Sequence, residues 1–258
     1  MMMVIEDNSV KVKDVETHYL KVGKGSPLVL LPSGSGRARE YEGILSGLSA
    51  HHTVYSFDYP GFGASGELDR ITGSEDLACF LADFADVLHL SHFHLLGYSM
   101  GGWVALHFAI RFPQRIRKLV LAATSGVRLK EFPIANPTKM SAREILDSFY
   151  YNPKVRQQVA SRKLTDQDRQ EINRSSQALA RLIARKKVVP DLGDRLLDVT
   201  APTLILSAEE DRVVPPKHQM VLHEKIWGSK LVSFSPCGHD LLREQPQKLV
   251  KEVIAFLK

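Results

Sequence analysis

The segment LLGYSMGG, residues 95–102, sets a serine between glycines: Gly97, Tyr98, Ser99, Met100, Gly101. A serine hydroxyl is a weak nucleophile until a base takes its proton and an acid orients that base. The flanking pattern supplies the geometry such chemistry needs. HFHLLG before Ser99 reads as a strand, and MGGWVALHFAIRFP after it reads as a helix closed off by Pro113. The hydroxyl then stands on a sharp strand-to-helix turn, lifted clear of the backbone. Bulk at 97 or 101 would collide across that turn, which accounts for both glycines. The helix start behind Ser99 aims its dipole at the reacting centre.

A base and an acid follow in the chain. LILSAEEDRVVPP puts Asp211 just past a strand ending near Ala208, and SFSPCGHDLLREQP puts His239 just past the last strand. Both fall on the C-terminal edge of a sheet, where open α/β folds hold their sites. Glu209 and Glu210 are rivals for the acid and read otherwise as solvated loop carboxylates; Asp240 reads as a surface residue. The expected chemistry is attack by Ser99 on an acyl carbon. His239 moves the proton and Asp211 fixes the imidazole tautomer.

These residues need a sheet behind them. SVKVK and ETHYLKV alternate with period two and read as an opening hairpin. PLVLL (27–31), IRKLVLAA (116–123) and PTLILSA (202–208) are apolar runs expected to be buried on both faces. HTVYSFD (52–58) and KLVSFSP (230–236) read as further strands. Helices are expected over 74–90, where Leu77, Phe80, Leu81, Phe84, Val87 and Leu88 form one stripe, and near 215–226 and 246–258. The alternation implies a mostly parallel, doubly wound sheet with helices on both faces. Residues 128–198 interrupt it with helix-like segments and no buried-strand signal. They are expected to form a helical lid on a core built from 1–127 and 199–258.

The chain of 258 residues suits one α/β domain with such an insertion. No apolar run reaches the length of a membrane span, and the charged N-terminal stretch lacks a signal-peptide core. Two well-separated cysteines, Cys79 and Cys237, suggest a reducing compartment, so a cytoplasmic location is expected. Residues 128–198 hold 15 Lys and Arg against 9 Asp and Glu, more than the whole net charge of +5. A solvated basic surface accounts for this better than nucleic acid does, and no nucleic-acid partner is expected.

LVLLPSGSGRARE (28–40) has the outline of a phosphate cradle, but Arg39 stands where a third glycine would close G-x-G-x-x-G. DYPGFGASG does spell that fingerprint with Gly61, Gly63 and Gly66, yet no helix opens on its third glycine. Together with GYSMGG, EEDRVVP and GHDLLREQP, these loops give the chain a pattern that resembles the α/β-hydrolase superfamily over nearly its full length. The resemblance implies an eight-stranded sheet, a Ser99–His239–Asp211 triad, no metal or organic cofactor, and a turn at Asp58 that ties down its loop. It also implies an oxyanion hole made by the N–H of Met100 and an N–H of the loop after residue 31. A gapless alignment nominates Gly34; a shift of one residue nominates Ser35. Family members commonly have His-Gly in that loop where Pro32-Ser33 stand here, and Ser33 is a candidate substitute.

The resemblance points to a serine hydrolase acting on a small acyl substrate, with a carboxylic ester as the leading choice. A carbon–carbon bond hydrolase, acyltransferase, lyase or peptidase using the same triad, and a non-catalytic binding member of the fold, are the alternatives. Ser99 argues against branches with an aspartate nucleophile. Tyr98 and Asp240 replace the Asn and Trp often seen in carbon–carbon bond hydrolases, and Met100 replaces the Trp usual in proline iminopeptidase-like enzymes. An anionic substrate is expected if Arg156, Arg162, Lys163, Arg169, Arg174, Arg181, Arg185, Lys186 or Lys187 faces the pocket.

Overall fold

The structure, a computed structural model, describes residues 4–68, 70–185 and 191–258. Eight strands form one sheet: β1 (Glu6–Val12), β2 (Val15–Val22), β3 (Ser26–Leu31), β4 (His52–Phe57), β5 (Phe93–Tyr98), β6 (Ile116–Ala122), β7 (Thr203–Ala208) and β8 (Lys230–Phe234). Their order across the sheet is β1-β2-β4-β3-β5-β6-β7-β8. The β1–β2 hairpin joins β4 antiparallel, and every pair from β4 to β8 is parallel.

The apolar runs become central strands because both of their faces are covered. Along β3, Val29 and Leu31 enter one core while Leu28 and Leu30 enter the other, the period-two alternation of a pleated strand. The first core packs under α2 (Ser74–Val87) and α3 (Met100–Arg111). The second packs under α1 (Glu42–Ser49) and α9 (Pro246–Leu257), through Ile44, Leu45, Leu48, Leu249 and Val253. The helix expected over 74–90 stops at Val87. His89 adopts a left-handed φ of 55°, and the Leu90 N–H returns to the Ala85 carbonyl at 2.8 Å, closing the last turn. Pro113 ends α3 as expected, because the residue before a proline is pushed out of the helical region.

Between β6 and β7 the chain leaves the sheet and forms α4 (Ala142–Phe149), α5 (Pro153–Ala160) and α6 (Asp166–Ala184). Capping boxes at Ser141/Glu144 and Thr165/Asp168 start α4 and α6. Anchors fix this segment to the sheet's C-terminal edge. The Gly63 N–H donates to Ser175 Oγ (3.2 Å), the Asn152 N–H to Glu244 (2.9 Å), and the Tyr150 hydroxyl to Asp240 (2.9 Å). The remaining helices, α7 (Lys217–Lys225) and the short α8 (Leu241–Glu244), follow β7 and β8. Among the described residues, no helix is long and apolar enough to cross a membrane. Cys79 and Cys237 are both free thiols.

Candidate active site

Ser99 sits between β5 and α3 with φ 53° and ψ −118°, a left-handed backbone that few non-glycine residues adopt. Such strain persists only where the surroundings enforce it. Here the Ser99 N–H donates to the Ala122 carbonyl (2.9 Å), and the Thr124 hydroxyl donates to the Ser99 carbonyl (2.6 Å). A Cβ at Gly97 would strike the Gly101 carbonyl, and one at Gly101 would strike the Leu31 and Pro32 carbonyls. Both glycines are therefore steric necessities of the turn.

The other two residues arrive from the ends of β7 and β8. His239 Nε2 lies 2.9 Å from Ser99 Oγ, and its Nδ1 lies 2.7 Å from Asp211 Oδ2. With the hydrogen on Nδ1, the imidazole donates to Asp211 and accepts from the Ser99 hydroxyl. Asp211 is itself held by the N–H groups of Val213 (2.7 Å) and Val214 (2.8 Å), which bind its Oδ1. His239 and Asp211 are buried, and Phe149 packs edge-on against the imidazole at 4.9 Å. Of the rival acids, Glu209 is exposed. Glu210 is not merely solvated: it accepts from the Cys237 N–H (2.5 Å) and the Ser235 hydroxyl (3.2 Å), bracing the turn that delivers His239.

Asp240 is a correction to the surface role expected of it. It is buried, caps α8 and accepts from Tyr150 and from Arg243 Nη1 (2.5 Å). Its cover is α4, an element its own neighbourhood in the chain does not announce. Tyr98 faces the same region, with its hydroxyl donating to the His239 carbonyl (3.2 Å).

The loop after β3 brings Gly34 to the same cavity wall as Ser99 and Met100. Ser33 is fastened by Glu40, which accepts from its N–H (2.7 Å) and its hydroxyl (2.6 Å). The Ser35 N–H donates back to Ser33 Oγ (3.2 Å). Among the described residues, the N–H groups of Gly34 and Met100 have no protein partner. Burial pushes the Glu40 carboxyl up, and the two bonds from Ser33 oppose that rise. No local sequence signal marks Glu40, whose role depends on how the loop folds back.

Above these groups lies a cavity of about 480 Å³. Its wall is mainly apolar, with Trp103 of α3, Phe149 of α4, Leu179 and Ile183 of α6, and Val213 and Val214 beside Asp211. Its charged members are Arg37, Glu40, Asp240 and Arg243. Arg37 lies 3.6 Å from Glu171 of α6, and Arg243 pairs with Asp240. Among the described residues, none of the basic residues singled out on the inserted helices lines it. Arg156 pairs with Asp147 (2.6 Å), Arg162 with Asp168 (3.6 Å) and Arg181 with Glu67 (3.5 Å), while Arg174 donates to the Gly63 carbonyl (3.2 Å). Lys186 and Lys187 lie outside the described residues. The reason is the face of α6: its inward stripe is Ile172, Ser175, Leu179 and Ile183, which leaves the arginines on the flanks.

The glycine triplet at 61–66 leaves no cradle for a pyrophosphate. A Cβ at Gly63 would strike the Asp58 carboxylate, which fills that space. Asp58 accepts from the N–H groups of Ala38 (2.6 Å) and Ala64 (2.8 Å) and contacts His18 Nδ1 (2.9 Å), tying the turn to β2. Among the described residues, no group of three or more His, Cys, Asp or Glu is placed to hold a metal ion.

Residues 28–252 match the model of a family described as the alpha/beta hydrolase family. The chain is 31% identical over 263 residues to a 2-hydroxy-6-oxo-2,4-heptadienoate hydrolase of Pseudomonas putida, covering 94% of this chain and 93% of that protein. It is 28% identical over 274 residues to a 2-hydroxy-6-oxononadienedioate/2-hydroxy-6-oxononatrienedioate hydrolase of Burkholderia vietnamiensis, covering 99% and 94%. Among solved structures it is similar to a meta-cleavage product hydrolase from Pseudomonas fluorescens, with TM-score 0.79, 24% identity and 97% of each chain covered. It is also similar to a bacterial membrane phospholipase A, with TM-score 0.82, 24% identity and 98% and 86% covered. Sheet order, strained serine turn and full-length relatives agree: this chain is an enzyme of the alpha/beta hydrolase family.

Proposed function

We propose that this enzyme breaks a carbon–carbon bond beside a ketone in a small, mostly apolar substrate, with Ser99, His239 and Asp211 as its catalytic residues. The observation that carries the serine chemistry is the Ser99–His239–Asp211 chain of hydrogen bonds, at 2.9 and 2.7 Å, opening onto an apolar cavity. Ser99 Oγ adds to the carbonyl carbon as its proton passes to His239. The N–H groups of Gly34 and Met100 hold the oxyanion. Collapse breaks the bond to the leaving carbon, which takes the proton from His239, and water then releases the acyl group from Ser99. Residues 128–198 serve as the lid that excludes bulk water from these steps.

The choice of bond is supported by relatives at 27–31% identity along nearly the whole chain, named for hydrolysis of 2-hydroxy-6-oxo-dienoic acids and related diacids. Arg37 and Arg243 are the cations such a carboxylate would meet on the cavity wall, the first set against Glu171 and the second paired with Asp240. Tyr98 and Asp240 favour a second reading, a carboxylic-ester hydrolase, because they stand where carbon–carbon bond hydrolases often carry Asn and Trp. A 2-hydroxy-6-oxo-dienoate and an ester of matched size, assayed side by side, decide between them. The first reading expects kcat/KM at least about tenfold higher on the dienoate, and the reverse order establishes the ester. Ser99→Ala should remove about 1,000-fold or more of either activity; retention of turnover sinks the serine mechanism.

A further inference from the structure

The family's usual loop histidine is replaced here by an arrangement that reaches across seven residues. Glu40 projects from the short turn Ala38–Tyr41 back onto the loop after β3. Its two carboxylate oxygens take both donors of Ser33, the N–H at 2.7 Å and the hydroxyl at 2.6 Å. With its proton committed to Glu40, Ser33 Oγ is left as an acceptor, and the Ser35 N–H fills that position at 3.2 Å. The Gly36 N–H closes on the Ser33 carbonyl at 3.0 Å. Of the three successive N–H groups from 33 to 35, the first and third are therefore tied inside the loop. The second, on Gly34, is left for the cavity that holds Ser99.

We propose that Glu40 is the positioning residue of this loop: by clamping Ser33 it presents the Gly34 N–H to the oxyanion formed at Ser99. A carboxylate suits the task because it accepts two hydrogen bonds side by side, and charge-assisted bonds of this kind are short and strong. Burial pushes the Glu40 carboxyl up, the two bonds from Ser33 pull it down, and of the charges near it Asp240 raises it while Arg243 lowers it. The same bonds decide the register left open by the sequence. Ser35 cannot serve the oxyanion without releasing Ser33 Oγ, whereas Gly34 serves it with nothing to break.

The inference rests on the serine-hydrolase reading, and its test separates the two. The rate of covalent labelling by a fluorophosphonate, and kcat and KM on the best substrate found, are measured for wild type, Glu40→Ala, Glu40→Gln, Ser33→Ala and the Glu40→Ala/Ser33→Ala double variant. Glu40→Ala should lose about 100-fold in labelling rate and in kcat, with KM changed by no more than about threefold, the signature of an interaction made in the transition state. Glu40→Gln, which keeps one acceptor, should recover about tenfold of that loss, and the double variant should be no worse than Glu40→Ala alone. Should Glu40→Ala fail to fold, Ser33→Ala decides: a kcat loss of about tenfold at constant KM supports the clamp, and wild-type kcat overturns it. Wild-type labelling of Glu40→Ala also overturns the clamp while leaving the hydrolase reading intact. Labelling that survives Ser99→Ala overturns both.

Discussion

Ser99, His239 and Asp211 are held by different means, and each means predicts its own failure. The imidazole has its tautomer set by one carboxylate oxygen of Asp211 at 2.7 Å, the other oxygen being occupied by two backbone N–H groups. Asp211→Asn keeps the shape but can offer an N–H to Nδ1, which favours the wrong tautomer. It should cost about 1,000- to 10,000-fold in kcat with little change in melting temperature. Glu210→Gln should cost only a few-fold, because Glu210 braces the 235–237 turn and does not reach the imidazole. Equal losses in the two variants, measured on one substrate, would reassign the acid. Gly101→Ala should abolish activity by a separate route, since its methyl group meets two backbone carbonyls that cannot rotate away. Loss of soluble protein or a large drop in melting temperature is the expected readout.

At the scale of elements, the inserted segments are legible as helices, but their net charge leaves open which residues face the cavity. Net charge says nothing about orientation; the apolar spacing of Ile172, Leu179 and Ile183 does, and it turns the arginines of α6 to the flanks. Asp240 was misplaced for a related reason. Its burial comes from Tyr150, which lies 90 residues earlier in the chain, and no window around position 240 contains that information. The meeting of Ser99, Asp211 and His239 was legible because each lies at a strand end followed by residues that must turn. Glu40 was not, because its partner is fixed by a fold-back of the loop. The Tyr150–Asp240 bond joins α4 to the start of α8, so Tyr150→Phe should loosen the insertion locally. A bond of about 1–2 kcal/mol predicts amide exchange in α4 faster by roughly 5- to 30-fold, with strand amides unaffected. Unchanged exchange in α4 would show that the insertion is held elsewhere.

For the whole molecule, the edge of the sheet opposite the active site carries a liability to acid. His94, the second residue of β5, has its Nδ1 buried and, among the described residues, without a partner, and its ring meets that of His52 edge-on at 5.5 Å. Burial, with smaller contributions from His52, Arg117 and Lys118, lowers its pKa to about 4 from 6.5. The folded pKa lies below the unfolded one, so between these values the unfolded chain binds a proton that the folded chain refuses. Stability should therefore be full above about pH 6.5, fall as pH drops toward about 4 and level off below, with at most about 3 kcal/mol lost through this group. Urea unfolding of wild type and His94→Asn, compared near neutrality and near pH 5, checks this. The variant should show the shallower pH dependence, and identical slopes would exonerate His94.

His239, the proposed base, reaches Ser99 from the end of β8, and β8 is an edge strand, paired only with β7 and half-exposed along its length. Turnover is then a sensitive gauge of that edge of the sheet. Fraying of that single edge would withdraw the base and silence the serine while the other seven strands stayed paired. In rising urea, catalysis should fade before the circular dichroism of the helices does.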